Sequence, residues 1–141
     1  MVQLRMQRQE ALSRDPDPLD LQVILGEAAL MRPVGGPAVM RDQLHALRDK
    51  ILSHNNVKVR VMALRSGFYR GIGSPFAIIH FVDAEDQDIV YLEGQAGATY
   101  LEKEADVQRY KKIIADMWER VQSRDETLTL LDRHAEQIVL T

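Results

Sequence analysis

The sequence predicts one α+β domain with a mixed four-stranded sheet in the order β-α-β-β-β-α-α, packed with helices and ending in a helical hairpin. Three observations predict this fold class. Residues 19–25 and 57–64 show the two-residue alternation of strands, and residues 37–52 between them show helical spacing. Residues 75–93 contain two apolar runs around an acidic turn. Residues 104–138 contain two amphipathic helical stripes, and this mixture is typical of α+β domains.

The first two predicted strands and the helix between them indicate a βαβ unit. Val57, Val59 and Val61 alternate with Lys58 and Arg60, so one face of the second strand is apolar. If the two strands lie parallel in one sheet, the crossover between them is expected to be right-handed.

The crossover helix is predicted over residues 37–52. Gly36 suits its N-cap, and Pro37 suits the first helical position, where the missing N–H costs nothing. The buried stripe of this helix recurs at intervals of three and four residues: Met40, Leu44, Leu47 and Ile51.

Residues 76–82 and 89–93 predict a pair of strands joined by an acidic turn. Apolar side chains point to both faces of residues 76–82, so we expect this strand inside the sheet and covered on both sides. It should form an antiparallel meander with the second strand. Residues 65–74 make a long glycine-bearing loop, and loops of this length are often functional. Residues 100–102 are expected to pack back on the sheet.

The last part of the chain predicts two helices that form an αα-hairpin against the sheet. The first spans residues 104–122, with a stripe of Val107, Tyr110, Ile114, Met117, Trp118 and Val121. The second opens with Ser123 and Glu126, which have the spacing of a capping box. Its expected buried face consists of Leu128, Leu131, Ala135 and Ile138.

Composition excludes several classes of function. The formal net charge of −3 argues against direct binding of nucleic acid, since domains that grip it are usually basic. The chain has no cysteine, which excludes disulfides, thiol nucleophiles and thiolate metal sites. No apolar run reaches the roughly 18 residues of a membrane span, and the charged start differs from a signal peptide. We therefore expect a cytoplasmic protein.

The sequence contains no recognised catalytic, metal or phosphate motif. The four histidines, His45, His54, His80 and His134, lack the spacing of metal ligands. Residues 67–75 resemble a glycine-rich nucleotide loop only superficially, because they lead into a strand instead of a helix. No nucleophile elbow is present. We expect neither a metal nor a cofactor, and we expect no enzymatic activity.

One set of residues predicts a polar and aromatic pocket for a small molecule or a partner segment. Its members lie at ends of predicted elements or in adjacent loops: Glu27, Arg32, Phe68, Tyr69, Tyr91, Glu93 and Tyr100. His80, on the predicted inner strand, is expected to be a core or cleft histidine and is also a candidate. The alternative is that these tyrosines and carboxylates only decorate the edge of the core.

Several ordered blocks of the sequence resemble a known family. They are residues 27–30 (EAAL), 32–36 (RPVGG), 39–44 (VMRDQL), 57–61 (VKVRV), 73–76 (GSPF), 90–93 (VYLE) and 100–102 (YLE). Together they resemble a domain of unknown function at the C-terminus of actinobacterial XRE-type helix-turn-helix regulators, common in Streptomyces. The resemblance covers residues 12 to 135.

The resemblance implies a regulatory domain that senses a small-molecule effector or binds a small partner protein. It implies that DNA is bound only through an N-terminal helix-turn-helix domain outside this chain, and that the regulator is a homodimer. Residues 1–13 are then expected to be a helix ending a linker, and residues 14–141 the regulatory domain. Either an excised piece or a naturally short relative is expected.

Two alternatives stay open at this point. One is a pure dimerisation or protein-interaction module. The other is a small acid–base enzyme that uses Glu27, Glu93 and Glu102 at the rim of the sheet.

Overall fold

The computed structural model describes residues 2–83 and 85–138. The chain divides into two compact units: the first contains the chain up to Leu64 and again from Val121 onward, and the second contains Arg65–Arg120. In chain order the elements are α1 (Val2–Gln9), β1 (Leu21–Gly26), α2 (Pro37–Ser53), β2 (Val57–Met62), β3 (Phe76–Ile79), β4 (Ile89–Gly94), β5 (Gly97–Leu101), α3 (Glu104–Trp118) and α4 (Arg124–Gln137).

The first unit is built on a parallel pair of strands, as the βαβ prediction requires. β1 pairs with β2 in parallel, with Leu21 opposite Val57 and Val23 opposite Val59, and α2 makes the crossover. The three alternating valines of β2 are all buried, and Val61 has no exposed surface.

The core of the first unit lies between this strand pair and the helices α2 and α4. Its buried members are Leu12, Leu30, Met40, Leu44, Ile51, Val57, Val59, Val61, Leu130, Leu131 and Ala135. Arg48 of α2 also contacts Asp132 of α4, with Nε 2.9 Å from a carboxylate oxygen. Because both side chains are more than one-third exposed, this ion pair contributes little, and apolar burial holds the helices together.

Both helix starts predicted from the sequence are confirmed. Gly36 caps α2 with φ 96°, a left-handed conformation that favours glycine, and Pro37 is the first helical residue. At α4 the Glu126 N–H donates to Ser123 Oγ at 3.2 Å, and the Ser123 N–H donates to the Glu126 carboxylate at 2.8 Å. This is the predicted capping box.

The second edge of β2 is occupied by the segment that leads into α4. The Gln122 N–H donates to the Val61 carbonyl at 2.9 Å, and the Val61 N–H donates to Thr127 Oγ1 at 3.1 Å. Both backbone groups of Val61 are therefore engaged, and among the described residues β2 pairs with β1 only. The prediction of one four-stranded sheet, in which β2 continues into an antiparallel meander, is therefore wrong.

The second unit contains a separate antiparallel sheet in the order β3-β4-β5. The predicted pair at residues 76–93 is confirmed, with Phe76 opposite Leu92. Residues 97–101 form β5, which follows a turn after Gly94 and pairs antiparallel with β4. Residues 100 and 101, which were expected to pack back on the sheet, are therefore part of its third strand.

The prediction that residues 76–82 form an inner strand covered on both sides is wrong. β3 is an edge strand and ends at Ile79, which is 40% exposed, and Val82 is 95% exposed. An apolar run gives no information about which neighbours a strand will have, and here β4 with its fully buried Val90 takes the central position.

α3 packs on β3 and β4 within the second unit, and the rings of Phe76 and Tyr110 meet edge to face at 4.8 Å. α3 ends at Trp118, four residues before the predicted end. α4 instead packs on α2 and β2 in the first unit. The two helices therefore pack on different elements, which corrects the predicted αα-hairpin against one sheet.

The N-terminal helix α1 is followed by a 3-10 turn at Glu10–Ser13, whose Leu12 enters the core of the first unit. The Asn56 side-chain amide donates to the carbonyls of Leu12 and Leu19, at 2.9 Å and 2.8 Å. The domain boundary at residue 13 stays a prediction. Within the described residues, no helix combines the length and apolar character needed to cross a bilayer.

The contact between Thr127 and Val61 leads to a stability prediction. Thr127 is 1% exposed, and Thr127→Val keeps its shape but leaves the buried Val61 N–H without an acceptor. We expect the free energy of unfolding, measured by urea titration and circular dichroism, to fall by about 1–3 kcal/mol.

Thr129→Val is the matched control on the same helix. The Thr129 hydroxyl is exposed and donates only to the Asp125 carbonyl of its own helix, so this change should be nearly neutral. Equal effects of the two substitutions would contradict the role assigned to Thr127.

Candidate functional site

A cleft of about 330 Å³ lies within the first unit, between the loop after β1, the start of α2 and the last turn of α4. We call it the first cleft. Its apolar lining consists of Leu30, Met31, Pro33, Pro37, Met40 and Ile138, and its polar lining of His134 and Gln137. The volume is at the lower end of the range found for small-molecule sites, and the mostly apolar lining with few polar groups is typical of them.

His134 is held in this wall by Glu27. The Glu27 Oε1 atom lies 3.0 Å from His134 Nε2, and Glu27 Oε2 accepts a 2.7 Å hydrogen bond from the Leu64 N–H. The His134 side chain is 9% exposed, and the Glu27 side chain is 13% exposed. Glu27, the first residue after β1, therefore contacts both the second residue after β2 and the last turn of α4.

The pKa of Glu27 lies below its ordinary value of 4.5. The main cause is the hydrogen bond from the Leu64 N–H, which favours the charged carboxylate; the hydrogen bond and charge of His134 and the charge of Arg133 act in the same direction. Burial opposes them. Glu27 is therefore ionised at neutral pH and accepts from both neighbours.

Both carboxylate oxygens of Glu27 already accept hydrogen bonds from the protein. The described residues that line the first cleft include no serine, threonine or carboxylate that His134 would activate or assist.

A second, more open cleft of about 810 Å³ lies within the second unit, between the loop before β3, the turn from β4 to β5 and α3. We call it the second cleft. Phe68, Phe76, Leu92, Tyr110 and Ile113 supply its apolar lining, and Arg70 and Glu93 its charges.

The loop at the second cleft is fixed by an arginine. Arg120 Nη2 donates to the carbonyls of Ser66 and Phe68, at 2.7 Å and 3.0 Å. These bonds hold the backbone on both sides of Gly67 while the Phe68 ring remains 76% exposed. An exposed aromatic ring on an anchored loop is a feature of protein-interaction surfaces.

The pocket residues predicted from the sequence fall into separate groups. Glu27 lies beside the first cleft and Arg32 is exposed in the adjoining loop. Phe68 and Glu93 line the second cleft. The remaining predicted aromatic residues lie elsewhere in the second unit: Tyr69 is half-buried against Gly71, and the rings of Tyr91 and Tyr100 are 5.4 Å apart on neighbouring strands.

His80 is not the core histidine that the sequence predicted. It follows the end of β3, its side chain is 75% exposed, and its Nδ1 lies 2.7 Å from Asp88 Oδ1. Lys111 of α3 lies 2.5 Å from the other oxygen of the same carboxylate. The Lys111 hydrogen bond is the main cause that lowers the pKa of Asp88, with His80 contributing and burial opposing.

Comparison with known proteins identifies a family for the chain. Residues 1–133 match the family described as Domain of unknown function (DUF5753). The chain belongs to this family. No curated protein and no solved structure showed significant similarity to it. The matched region contains Glu27, the second cleft and most of the lining of the first cleft. His134, Gln137 and Ile138 lie just beyond its end.

Sequence reasoning missed the importance of His134 in this DUF5753 domain. Its spacing indicates a buried position, because His134 falls three residues after Leu131 on the buried stripe of α4. A polar ring on an apolar helix face needs a partner, but no sequence pattern indicates that the partner is Glu27, 107 positions earlier. Within the described parts of the domain, no group of three or more potential ligands is placed to hold a metal ion.

The ionised state of Glu27 predicts a pH-dependent contribution to stability. Because its folded-state pKa lies below 4.5, the contribution is complete above that pH and is lost as pH falls through the lowered pKa. Glu27→Gln should lower the free energy of unfolding at pH 7 by on the order of 1 kcal/mol, and the difference from wild type should shrink below pH 4.5.

Glu136→Gln removes the same charge at an exposed position of α4 and serves as the control. Urea titrations at stepped pH should show little change for it. A Glu27→Gln deficit that stays constant from pH 7 to pH 3 would contradict the assignment.

Lys111 should control the ionisation of Asp88. In Lys111→Met, the pKa of Asp88, followed by carboxyl NMR, is expected to rise toward its ordinary value of 3.8, because the main stabilising hydrogen bond is gone. Lys112→Met, at the exposed neighbouring position, should leave it unchanged. The same shift in both variants would show that general charge, and not the specific contact, sets the pKa.

Proposed function

We propose that this DUF5753 domain is the regulatory part of a helix-turn-helix transcriptional regulator and that the first cleft binds its small-molecule effector. One observation carries the choice of cleft: a partly buried, ionised carboxylate holds a buried histidine in the wall of a mostly apolar cavity of ligand size. The regulatory role is supported by the resemblance of residues 27–44 and 57–102 to C-terminal blocks of XRE-type regulators.

The contacts of Glu27 supply a route from the cleft to the rest of the chain. An effector that contacts His134 acts on the same carboxylate that accepts from the Leu64 N–H. Leu64 is the last residue of the chain before it enters the second unit. Regulation requires that the effector bind the two states of this network with different affinity.

DNA contacts are assigned to a helix-turn-helix domain outside this chain, in keeping with the net charge of −3. Such domains bind paired half-sites as dimers, so the regulator is proposed to be a homodimer. The effector then changes the orientation or the association of the two DNA-binding domains.

A second candidate is a pure interaction module that binds a second copy or a small partner protein. The exposed Phe68 ring on the loop anchored by Arg120 favours it. The acid–base enzyme has less support. Of its three carboxylates, Glu27 has both oxygens engaged and lies in the first unit, whereas Glu93 and Glu102 are exposed in the second.

Native mass spectrometry of the purified chain tests the proposed effector site. We expect a reproducible added mass that is released on denaturation. Met31→Trp, at a position 56% exposed beside the first cleft, should remove the added mass by filling the cleft. Met6→Trp places the same ring at a 58% exposed position of α1 and should retain it.

A bare chain with no added mass from cells grown under several conditions, or an added mass that Met31→Trp leaves in place, would contradict effector binding in the first cleft. A reporter fusion separates the two candidates further. The chain is fused to a DNA-binding domain that represses only as a dimer. Repression that Phe68→Ser abolishes and Met31→Trp leaves intact would favour the interaction module.

A further inference from the structure

The Glu27–His134 contact fixes which nitrogen of the histidine carries a proton. An ionised carboxylate can only accept hydrogen bonds, so His134 Nε2, 3.0 Å from Glu27 Oε1, must be the donor. In the neutral imidazole the proton is then on Nε2, and Nδ1 has a lone pair that accepts. Carboxylates orient metal-binding histidines in the same way.

The Nδ1 atom of His134 has no hydrogen-bond partner among the described residues. It is not sealed in the core either, because no fully buried side-chain nitrogen or oxygen in the described parts of the chain lacks a partner. The imidazole, with 9% of its side chain exposed, borders the first cleft. The acceptor nitrogen is therefore accessible, on a ring that borders the first cleft and cannot turn without breaking its bond to Glu27.

The rest of the lining restricts the occupant further. The described residues around the first cleft include no lysine, arginine, aspartate or glutamate, so an ionic group on the occupant would have no countercharge in the wall. Met31 and Met40 are unbranched and adapt to irregular apolar shapes. The volume of about 330 Å³ accommodates a small molecule and excludes a folded partner.

We propose that the first cleft selects a neutral, largely apolar small molecule with a hydroxyl or N–H group, which donates a hydrogen bond to His134 Nδ1. The proposal rests on the effector site described above and specifies its ligand class. An analogue that lacks the donor leaves the acceptor nitrogen without a partner and loses affinity.

Two bicyclic probes test the donor requirement. They are 2-naphthol, which has one hydroxyl donor, and 2-methoxynaphthalene, in which a methyl group replaces the hydroxyl proton. Dissociation constants are measured at pH 7 by amide NMR titration of the full chain, which also locates the binding site. We expect 2-naphthol to bind at the first cleft about tenfold more tightly than 2-methoxynaphthalene, since a single hydrogen bond contributes about that factor.

Glu27→Gln tests whether Glu27 sets this preference. The glutamine carbonyl can still accept from the Leu64 N–H, and its amide then donates to His134 Nε2, which moves the imidazole proton to Nδ1. The tenfold preference for 2-naphthol should therefore disappear. Glu136→Gln, with the same loss of charge at an exposed position of α4, should keep it.

The possible results bear differently on the donor requirement and on the effector site. Equal affinity of wild-type protein for both probes at the first cleft would overturn the donor requirement and leave the effector site standing. Binding of neither probe at the cleft would overturn the site and the ligand class together. If Glu27→Gln does not fold, the wild-type comparison of the two probes still decides the proposal.

Discussion

The partly buried carboxylate of Glu27 is the constraint on which the first unit and its cleft depend. It lies directly after β1 and accepts hydrogen bonds from Leu64, just beyond β2, and from His134 on α4. Both carboxylate oxygens accept a hydrogen bond from the protein, and loss of either donor would remove one of the two contacts that favour the charged form. The same contacts hold the imidazole in one orientation and one tautomer at the wall of the cleft. In the proposed effector site, one interaction would therefore serve both structure and recognition.

Local features of the fold could be predicted from the sequence, because local physics determines them. The apolar spacing of α2, the Gly36–Pro37 start and the Ser123 capping box each involve residues within a few positions of one another. The alternation in β2 identified Val57, Val59 and Val61 as buried. The pairing of β3 with β4 also followed from two apolar runs separated by a short acidic turn.

Sheet membership and the site depended on contacts that periodicity does not encode. On the edge of β2 away from β1, Thr127 and Gln122, more than sixty residues along the chain, occupy both backbone groups of Val61. His80 looked internal because it follows an apolar run, yet β3 ends before it. Glu27 was selected from the sequence, but its partner His134 was not, because their approach requires β1 and α4 to be packed in one unit.

In the proposed site, an ionised Glu27 holds the imidazole proton of His134 on Nε2 and leaves Nδ1 as an acceptor. The protonation of the two nitrogens can be read by ¹⁵N NMR of the His134 imidazole in wild-type protein, under conditions where the ring is neutral. We expect a protonated Nε2 and an unprotonated Nδ1. A proton on Nδ1, or rapid averaging between the two nitrogens, would contradict it.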